Sequence, residues 1–300
     1  TVTVNSGTVS GGQAALAMRR GTASITGGTI VGLIDVVGDY DAANVAITGG
    51  DFTNATLQYA DGNGNVVTKA DAVELTAPAD YKWVNGVLTA CEYVAEINGV
   101  KFESLADAIA AAQDGETVTL LADIDVGTGN ALIRGKEITI DLNGHNITGT
   151  GYRVLFVDLL ASQNKDGKLT LVGNGTVENT GTTSGNSYAV YVGGNSELVV
   201  KTGATVKSAN GYAVFVAPMG AGRVSKLTVN GGTVTGRYAV SGSGQLTDTS
   251  TVITVNSGAV IGTEVGIYQP QPGTVTVNSG TVSGGEAALA MRRGTASITG

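Results

Sequence analysis

The chain repeats a short alternation of apolar and polar residues that ends in a glycine-containing turn. Examples are LTLVGNGTV at 169–177, LTVNGGTV at 227–234 and VTVNSGTV at 275–282. The apolar residue that closes each copy returns every 21 to 30 residues. These closing residues are Val9, Ile30 and Phe52, and then Ile147, Val177, Val206, Val234, Val260 and Val282. Intervals of this length are typical of one coil of a parallel β-helix, in which each coil contributes two or three short strands.

The alternation within each copy assigns the two faces of the first strand. Because successive side chains of a strand point to opposite faces, Leu169 and Leu171 are predicted to face the core, and Thr170 between them is predicted to face outward. The same prediction holds for the equivalent positions of the following copies. Asn230 and Asn256 stand where the chain turns, and we expect their amides to form a ladder from coil to coil.

A later strand of each coil contains aromatic residues, in YAVYV at 188–192, YAVFV at 212–216 and VGIYQ at 265–269. If the central Val or Ile of each strand faces the core, the residue that follows it faces outward. Tyr191, Phe215 and Tyr268 are therefore predicted to form an outward aromatic column. This column is the candidate contact surface for a ligand, with carbohydrate as the class considered.

A single amphipathic helix is predicted at 104–114, in the sequence SLADAIAAAQDGE. Ser104 is placed to cap the first turn with Asp107 at the capping-box position, and Gly115 is a stop signal. Coils begin directly afterwards, at Thr117. A helix at this place is expected to cover the open end of the solenoid, where strand edges and core residues would otherwise meet water.

A second, much longer repeat encloses the coils. Residues 1–27 and 274–300 have the same sequence except that Gln13 is replaced by Glu286, which gives a period of 273 residues. We therefore expect 1–60 to be the last coils of one β-helix repeat and 61–92 to be a hairpin or linker region. Residues 93–300 are expected to be the cap and coils of the next repeat. Neighbouring identical repeats, covalently joined or docked end to end as subunits, are the predicted partners.

Composition narrows the class of protein. The chain has 46 glycines, only 4 prolines and 42% hydrophobic residues, which excludes collagen and ordinary disorder and favours short strands with tight turns. The net charge of −8 is spread thinly and leaves no basic stripe for nucleic acid. Cys91 is the one cysteine, so an intrachain disulfide framework is excluded. No apolar run approaches the ~20 residues of a membrane span.

Candidate catalytic and metal-binding residues are scattered. Three carboxylates, Asp35, Asp39 and Asp41, could offer oxygen ligands to Ca²⁺, although their spacing matches no established calcium loop and a solvated loop is the simpler interpretation. No other cofactor is predicted. Acids and bases for glycoside cleavage would have to converge from different coils, and spacing does not bring them together. The candidate carboxylates are Asp141, Asp158, Glu178 and Glu197, and the candidate bases are Arg134, Arg153 and Arg237. His145 lies in the turn sequence DLNGHNI, where a structural role is expected in preference to a catalytic one.

The segment 93–124, the motif ITIDLNGHNI at 138–147 and the following coils ending in NGGTV or NSGTV resemble a known family. They are similar to the pectin-lyase-like, right-handed parallel β-helix modules of large repetitive surface proteins of Gram-positive bacteria. The resemblance covers 93–300 and continues through 1–60. It implies an all-β, right-handed parallel β-helix in a secreted or cell-surface protein of adhesin-like or stalk-like type. The family's acidic calcium cluster and basic catalytic residue have no match here, so no catalytic residue is carried over.

The sequence therefore favours a structural or adhesive extracellular protein whose tandem β-helix domains form a stiff fibre or stalk without catalysis. Cell-surface glycans are the expected external partner, and nucleic acid is not. The alternative is a carbohydrate-binding or polysaccharide-degrading module, either a lyase or a hydrolase.

Overall fold

The computed structural model describes residues 1–18, 21–37, 43–60, 80–84, 87–182, 187–218, 220, 222–242 and 249–299. The chain divides into two compact units, Thr1–Glu92 and Tyr93–Gly300. No helix in these described ranges has the length and apolar character of a membrane span.

The unit Thr1–Glu92 contains seven described strands in one sheet. They are β1 (Val2–Val4), β2 (Thr8–Ser10), β3 (Leu16–Met18), β4 (Gly21–Val37), β5 (Ala43–Ala60), β6 (Tyr81–Val84) and β7 (Val87–Ala90). Strands β1, β2 and β3 all pair in parallel with β4, and β4 pairs in parallel with β5. Strands β6 and β7 pair antiparallel within the region 61–92, for which a hairpin or linker is predicted. Residues 61–79 and 85–86 of that region lie outside the described residues.

Within its described residues, the unit Tyr93–Gly300 contains one α-helix and a continuous 19-stranded sheet. The strands before the aromatic region are β8 (Ala95–Ile97), β9 (Val100–Phe102), β10 (Thr117–Leu120), β11 (Ile124–Asp125), β12 (Ala131–Arg134), β13 (Glu137–Asp141) and β14 (Ile147–Gly149). They are followed by β15 (Arg153–Asp158), β16 (Lys168–Val172), β17 (Gly175–Asn179), β18 (Tyr188–Gly193), β19 (Glu197–Lys201) and β20 (Ala204–Ala217). The last are β21 (Arg223–Gly242), β22 (Thr249–Gln269), β23 (Gly273–Val277), β24 (Thr281–Gly284), β25 (Ala287–Met291) and β26 (Thr295–Ile298). The helix is α1 (Leu105–Ala111), and a 3₁₀ turn spans Ala161–Gln163.

These strands wind into a parallel β-solenoid of about six turns, which confirms the predicted β-helix. From β10 to β26 each strand pairs in parallel with the equivalent strand of the next coil, so equivalent residues stack in columns. One inward column is fully buried, because aliphatic side chains of successive coils cover one another. It runs through Ile138, Leu169, Leu198, Leu227, Ile253 and Val275. Burial of each such side chain contributes roughly 1.5–3 kcal/mol, and this repeated contribution holds the solenoid together.

The turns between strands are tied together by the expected asparagine ladder. Nδ2 of Asn256 donates to Oδ1 of Asn230 at 2.8 Å, and Nδ2 of Asn278 donates to Oδ1 of Asn256 at 2.7 Å. The outward residues Thr228, Thr254 and Thr276 lie in register, as the alternation predicts.

Helix α1 and the hairpin β8–β9 close the first coil. The Ser104 hydroxyl accepts a hydrogen bond from the Asp107 backbone N–H at 3.1 Å and donates to the Asp107 carboxylate at 2.6 Å. The helix is shorter than the predicted 104–114, because the backbone leaves the helical conformation at Ala112. At that end Nζ of Lys136 donates to three backbone carbonyls at 2.6 to 2.9 Å, which satisfies groups that a helix terminus leaves open. Strand β8 pairs antiparallel with β10 and thereby covers the edge of the first coil.

Candidate functional site

Aromatic residues are concentrated on one outer face of the solenoid. The unit Tyr93–Gly300 contains ten aromatic residues, and eight of them lie on or beside the outer side of β15, β18, β20, β21 and β22. We call these eight residues the aromatic face: Tyr152, Phe156, Tyr188, Tyr191, Tyr212, Phe215, Tyr238 and Tyr268. The core cluster contains none of them and is built from Val, Ile, Leu and Ala.

Strand register arranges most of these rings in two neighbouring columns. In the first column Tyr188, Tyr212 and Tyr238 lie in successive coils, and the rings of Tyr188 and Tyr212 stack with centroids 5.4 Å apart. The second column runs through Phe156, Tyr191, Phe215, Ser241 and Tyr268. Both columns exist because a parallel solenoid places the same strand position of every coil at the same point of its outer surface.

The aromatic face has a packed base and an open surface. Phe156, Tyr188 and Tyr191 are less than 8% exposed, although they lie outside the aliphatic core. Tyr152 is 50% exposed beside them. The rings of Tyr212, Phe215, Tyr238 and Tyr268 are half-buried, so each offers part of its surface to solvent. The buried rings support the half-buried ones, since the ring of Tyr188 contacts the rings of Tyr212 and Phe215.

Guanidinium groups border the aromatic face. The guanidinium of Arg153 lies 3.7 Å from the centroid of the Phe156 ring, and that of Arg292 lies 5.7 Å from the Tyr268 centroid. Both contacts have cation–π geometry. Arg237 lies by Tyr238, and its Nε donates to Oε1 of Glu264 at 2.6 Å. This hydrogen bond lowers the pKa of the Glu264 carboxyl, so that the acid stays ionised.

A buried asparagine is hydrogen-bonded to the start of β18, the strand that carries Tyr188 and Tyr191. Asn179 is 1% exposed, and its Nδ2 donates to the backbone carbonyls of Gly151 at 2.8 Å and Tyr188 at 3.0 Å. Its Oδ1 accepts a hydrogen bond from the Gly181 N–H at 2.9 Å. The side chain thus links β17 to the backbone of Gly151 and to that of Tyr188, the first residue of β18.

Burial perturbs the tyrosines of the packed base. It raises the pKa of Tyr191 to about 12, and it raises the pKa of Tyr188 further, with help from a hydrogen bond with Tyr152. Burial also raises the pKa of Tyr238, and the nearby Glu264 carboxylate acts in the same direction.

We therefore expect some tyrosines of the intact chain to ionise late in an alkaline titration. The raised pKa values favour the neutral phenols in the folded state. The resulting stability is complete below the ordinary tyrosine pKa of about 10 and is lost as the pH rises toward the folded-state value. Ultraviolet absorbance of tyrosinate should show a late phase near pH 12. If the protein unfolds first, the late tyrosines should ionise together with the loss of strand signal in circular dichroism. Tyr191→Phe should reduce this phase. A single early phase that contains every tyrosine would contradict the packed base.

The structure brings two of the three sequence-predicted residues into direct contact. The rings of Tyr191 and Phe215 lie 5.3 Å apart, whereas Tyr268 stands in the same column two coils beyond Phe215, with Ser241 between them. Sequence reasoning missed five members of the aromatic face. The recurrent Tyr-Ala-Val at 188–190, 212–214 and 238–240 was an available signal for the first column. The segment that contains Tyr152 and Phe156 has no such recurring motif. The missed residues are Tyr152, Phe156, Tyr188, Tyr212 and Tyr238.

The candidate calcium ligands lie mostly outside the described residues. Asp39 and Asp41 lie outside the described residues. Asp35 lies in β4, and its backbone pairs in register with Gln58 of β5. Within the described ranges, no group of three or more His, Cys, Asp or Glu side chains is arranged to hold a metal ion.

The candidate catalytic carboxylates bind different partners. Asp158 accepts a hydrogen bond from Arg134 at 3.2 Å, and Glu178 forms an ion pair with Lys207 at 2.8 Å. Glu197 lies 4.0 Å from Lys168. Asp141 accepts a hydrogen bond from the backbone N–H of Asn143.

The remaining candidate bases are also engaged. Nδ1 of His145 lies 3.6 Å from the Asp123 carboxylate, and Arg153 and Arg237 border the aromatic face.

Comparison with known proteins adds no relative. No model of a protein family matches the chain, and neither the curated proteins nor the solved structures include a significant match.

Proposed function

We propose that the chain is a structural and adhesive module of an extracellular protein, in which a rigid β-solenoid presents the aromatic face to carbohydrate. The observation that carries this proposal is the segregation of aromatic residues. Eight of the ten aromatics of Tyr93–Gly300 lie on one outer face, while an aliphatic core supplies the stability of the solenoid. A contiguous apolar surface of this kind is typical of an interaction site.

Carbohydrate suits the chemistry of this face. The apolar C–H side of a sugar ring packs on the negative face of an aromatic ring, and the phenol hydroxyls of tyrosine exchange hydrogen bonds with sugar hydroxyls. Successive coils repeat about every 4.8 Å, so the face offers a periodic row of rings to an extended polysaccharide. The guanidiniums of Arg153 and Arg292 at its border favour a glycan that carries carboxylates or sulfates.

The extracellular, surface-attached setting is part of the same proposal. It is supported by the resemblance of 93–300 to pectin-lyase-like surface modules. The 273-residue repeat supports a stalk, because a duplicated rigid domain adds length without adding new chemistry. Catalysis is not included in the proposal, since the candidate carboxylates are each held by separate partners.

Binding of the intact chain to an array of neutral and acidic glycans tests the proposal. We expect selective binding to extended glycans, with a preference for acidic ones. The double variant Tyr238→Ala with Tyr268→Ala should weaken it at least about tenfold, because both rings are half-buried and face outward. The matched control is Thr228→Ala with Thr254→Ala, which removes outward side chains from another face of the same coils.

Two results would count against the proposal. One is an absence of glycan binding by the intact chain, and the other is equal binding by the tyrosine and threonine variants. Release of shortened glycan products during incubation would instead favour the polysaccharide-degrading alternative.

A further inference from the structure

An ion pair between Arg237 and Glu264 stands at the surface of the aromatic face. Nε of Arg237 donates to Oε1 of Glu264 at 2.6 Å, and the two side chains are 35% and 31% exposed. Arg237 directly precedes Tyr238 in β21, and its guanidinium lies 5.4 Å from the centroid of that ring. The pair is therefore open to solvent beside a half-buried ring of the face.

The fold places Glu264 next to the same ring. Val265 pairs in register with Tyr238, so the preceding Glu264 lies beside it in the adjacent coil. The hydrogen bond from Arg237 lowers the pKa of the Glu264 carboxyl, and the Tyr238 hydroxyl acts in the same direction. Tyr268 follows in β22, with its ring centroid 6.1 Å from that of Tyr238. Two rings and one ion pair thus form a single surface, which we call the Tyr238 patch.

The ion pair keeps unused hydrogen-bonding groups. A carboxylate offers about four acceptor sites and a guanidinium offers five N–H donors, and the hydrogen bond between Arg237 and Glu264 uses one of each. Acceptors and donors therefore remain next to each other. They match two neighbouring hydroxyls of a sugar, of which one donates to the carboxylate and the other accepts from the guanidinium.

We propose that Glu264 and Arg237 determine the specificity of the aromatic face by hydrogen-bonding two adjacent free hydroxyls of a sugar that stacks on Tyr238. This inference rests on the proposed glycan binding and names the feature of the glycan that is recognised. Stacking alone uses the C–H side of a sugar and accepts many sugars, whereas a polar site rejects an analogue that lacks the hydroxyls it binds. The recognised class is therefore glycans with an unsubstituted pair of neighbouring hydroxyls.

The Tyr238 patch is distant from the guanidinium at the start of the aromatic face. Arg153 pairs in register with Tyr188, which begins the first aromatic column. Tyr238 stands two coils further along that column. Arg153 and the Tyr238 patch are therefore three coils, or about 14 Å, apart. A single sugar is shorter than this distance, so an acidic group at Arg153 and the hydroxyl pair at the Tyr238 patch belong to different sugars of one extended glycan.

Glu264→Gln in the full-length chain tests the proposal. The substitution keeps the size of the side chain but removes its charge and one acceptor oxygen. The probes are the neutral glycans of the array, each with free hydroxyls and in O-methylated form, which keeps the sugar rings. The unchanged chain should prefer the free form at least about tenfold, because the methyl ethers cannot donate to the carboxylate. Glu264→Gln should reduce this preference to about twofold or less, and Arg237→Gln should reduce it likewise.

Glu137→Gln is the matched control, because that carboxylate also pairs across two coils, with Lys168 at 3.0 Å, but lies outside the aromatic face. It should leave the preference unchanged. Circular dichroism verifies that each variant keeps its strands, and if Glu264→Gln loses them, Arg237→Gln decides in its place. A preference that stays at its original value would overturn the inference and leave the proposed glycan binding intact. Absence of binding to every glycan of the array would overturn both.

Discussion

Replacing Gly258 with alanine should lower the free energy of unfolding of the unit Tyr93–Gly300 by about 3 kcal/mol or more. Gly258 has φ +90°, and an added Cβ would collide with the Gly232 carbonyl oxygen of the preceding coil. The left-handed backbone alone costs a non-glycine residue roughly 1–2 kcal/mol. The remainder comes from the displacement of the Gly232 backbone that the added Cβ would require.

Gly144→Ala is the matched control for this prediction. Gly144 has nearly the same backbone, with φ +88°, but no atom lies within 4 Å of the position that an added Cβ would occupy. The control substitution should therefore cost only the roughly 1–2 kcal/mol of the backbone conformation. Urea unfolding followed by circular dichroism measures both variants. Equal losses of stability would show that coil-to-coil contact at Gly258 is unimportant.

Asn179→Ala is expected to have the second large effect, a decrease of about 2–4 kcal/mol in the free energy of unfolding. The substitution leaves the carbonyls of Gly151 and Tyr188 and the N–H of Gly181 without their present partner in a buried place. Because Asn179 is hydrogen-bonded to the backbone of Tyr188, the near-ultraviolet circular dichroism of the aromatic face should weaken as well.

The exposed Asn174 lies in the same coil and provides the control. Asn174→Ala should change the free energy of unfolding by less than about 0.5 kcal/mol and leave the aromatic signal unchanged. If both asparagine variants unfold at the same urea concentration, the buried hydrogen bonds of Asn179 do not contribute to the stability of the fold.

The coil structure could be predicted because its determinants are local. Alternation in the segment containing Leu169 and Leu171 distinguishes the buried side from the outer side, and recurrence at 21 to 30 residues identifies the coil. The capping helix was also predictable, because Ser104 and Asp107 interact within one turn. Its end was not, since the backbone leaves the helix at Ala112, before the Gly115 stop signal.

The aromatic face was only partly predictable. Tyr191, Phe215 and Tyr268 follow from strand alternation, but their burial depends on side chains in neighbouring coils. Tyr191 is 7% exposed because other rings pack against it, and one of these is Phe156, 35 positions earlier. Single-strand patterns carry no information about such contacts.

The sequence by itself determined the inward and outward sides of each strand, the length of the coils and the existence of the 273-residue repeat. Only the tertiary structure decided which outward residues are buried. Leu132 and Phe156 occupy equivalent outward positions of adjacent coils, yet Leu132 is 38% exposed and Phe156 is 4% exposed. In a solenoid each side chain also packs against residues of the adjacent coils, which are distant in sequence. A local sequence pattern therefore does not determine how far that side chain is buried.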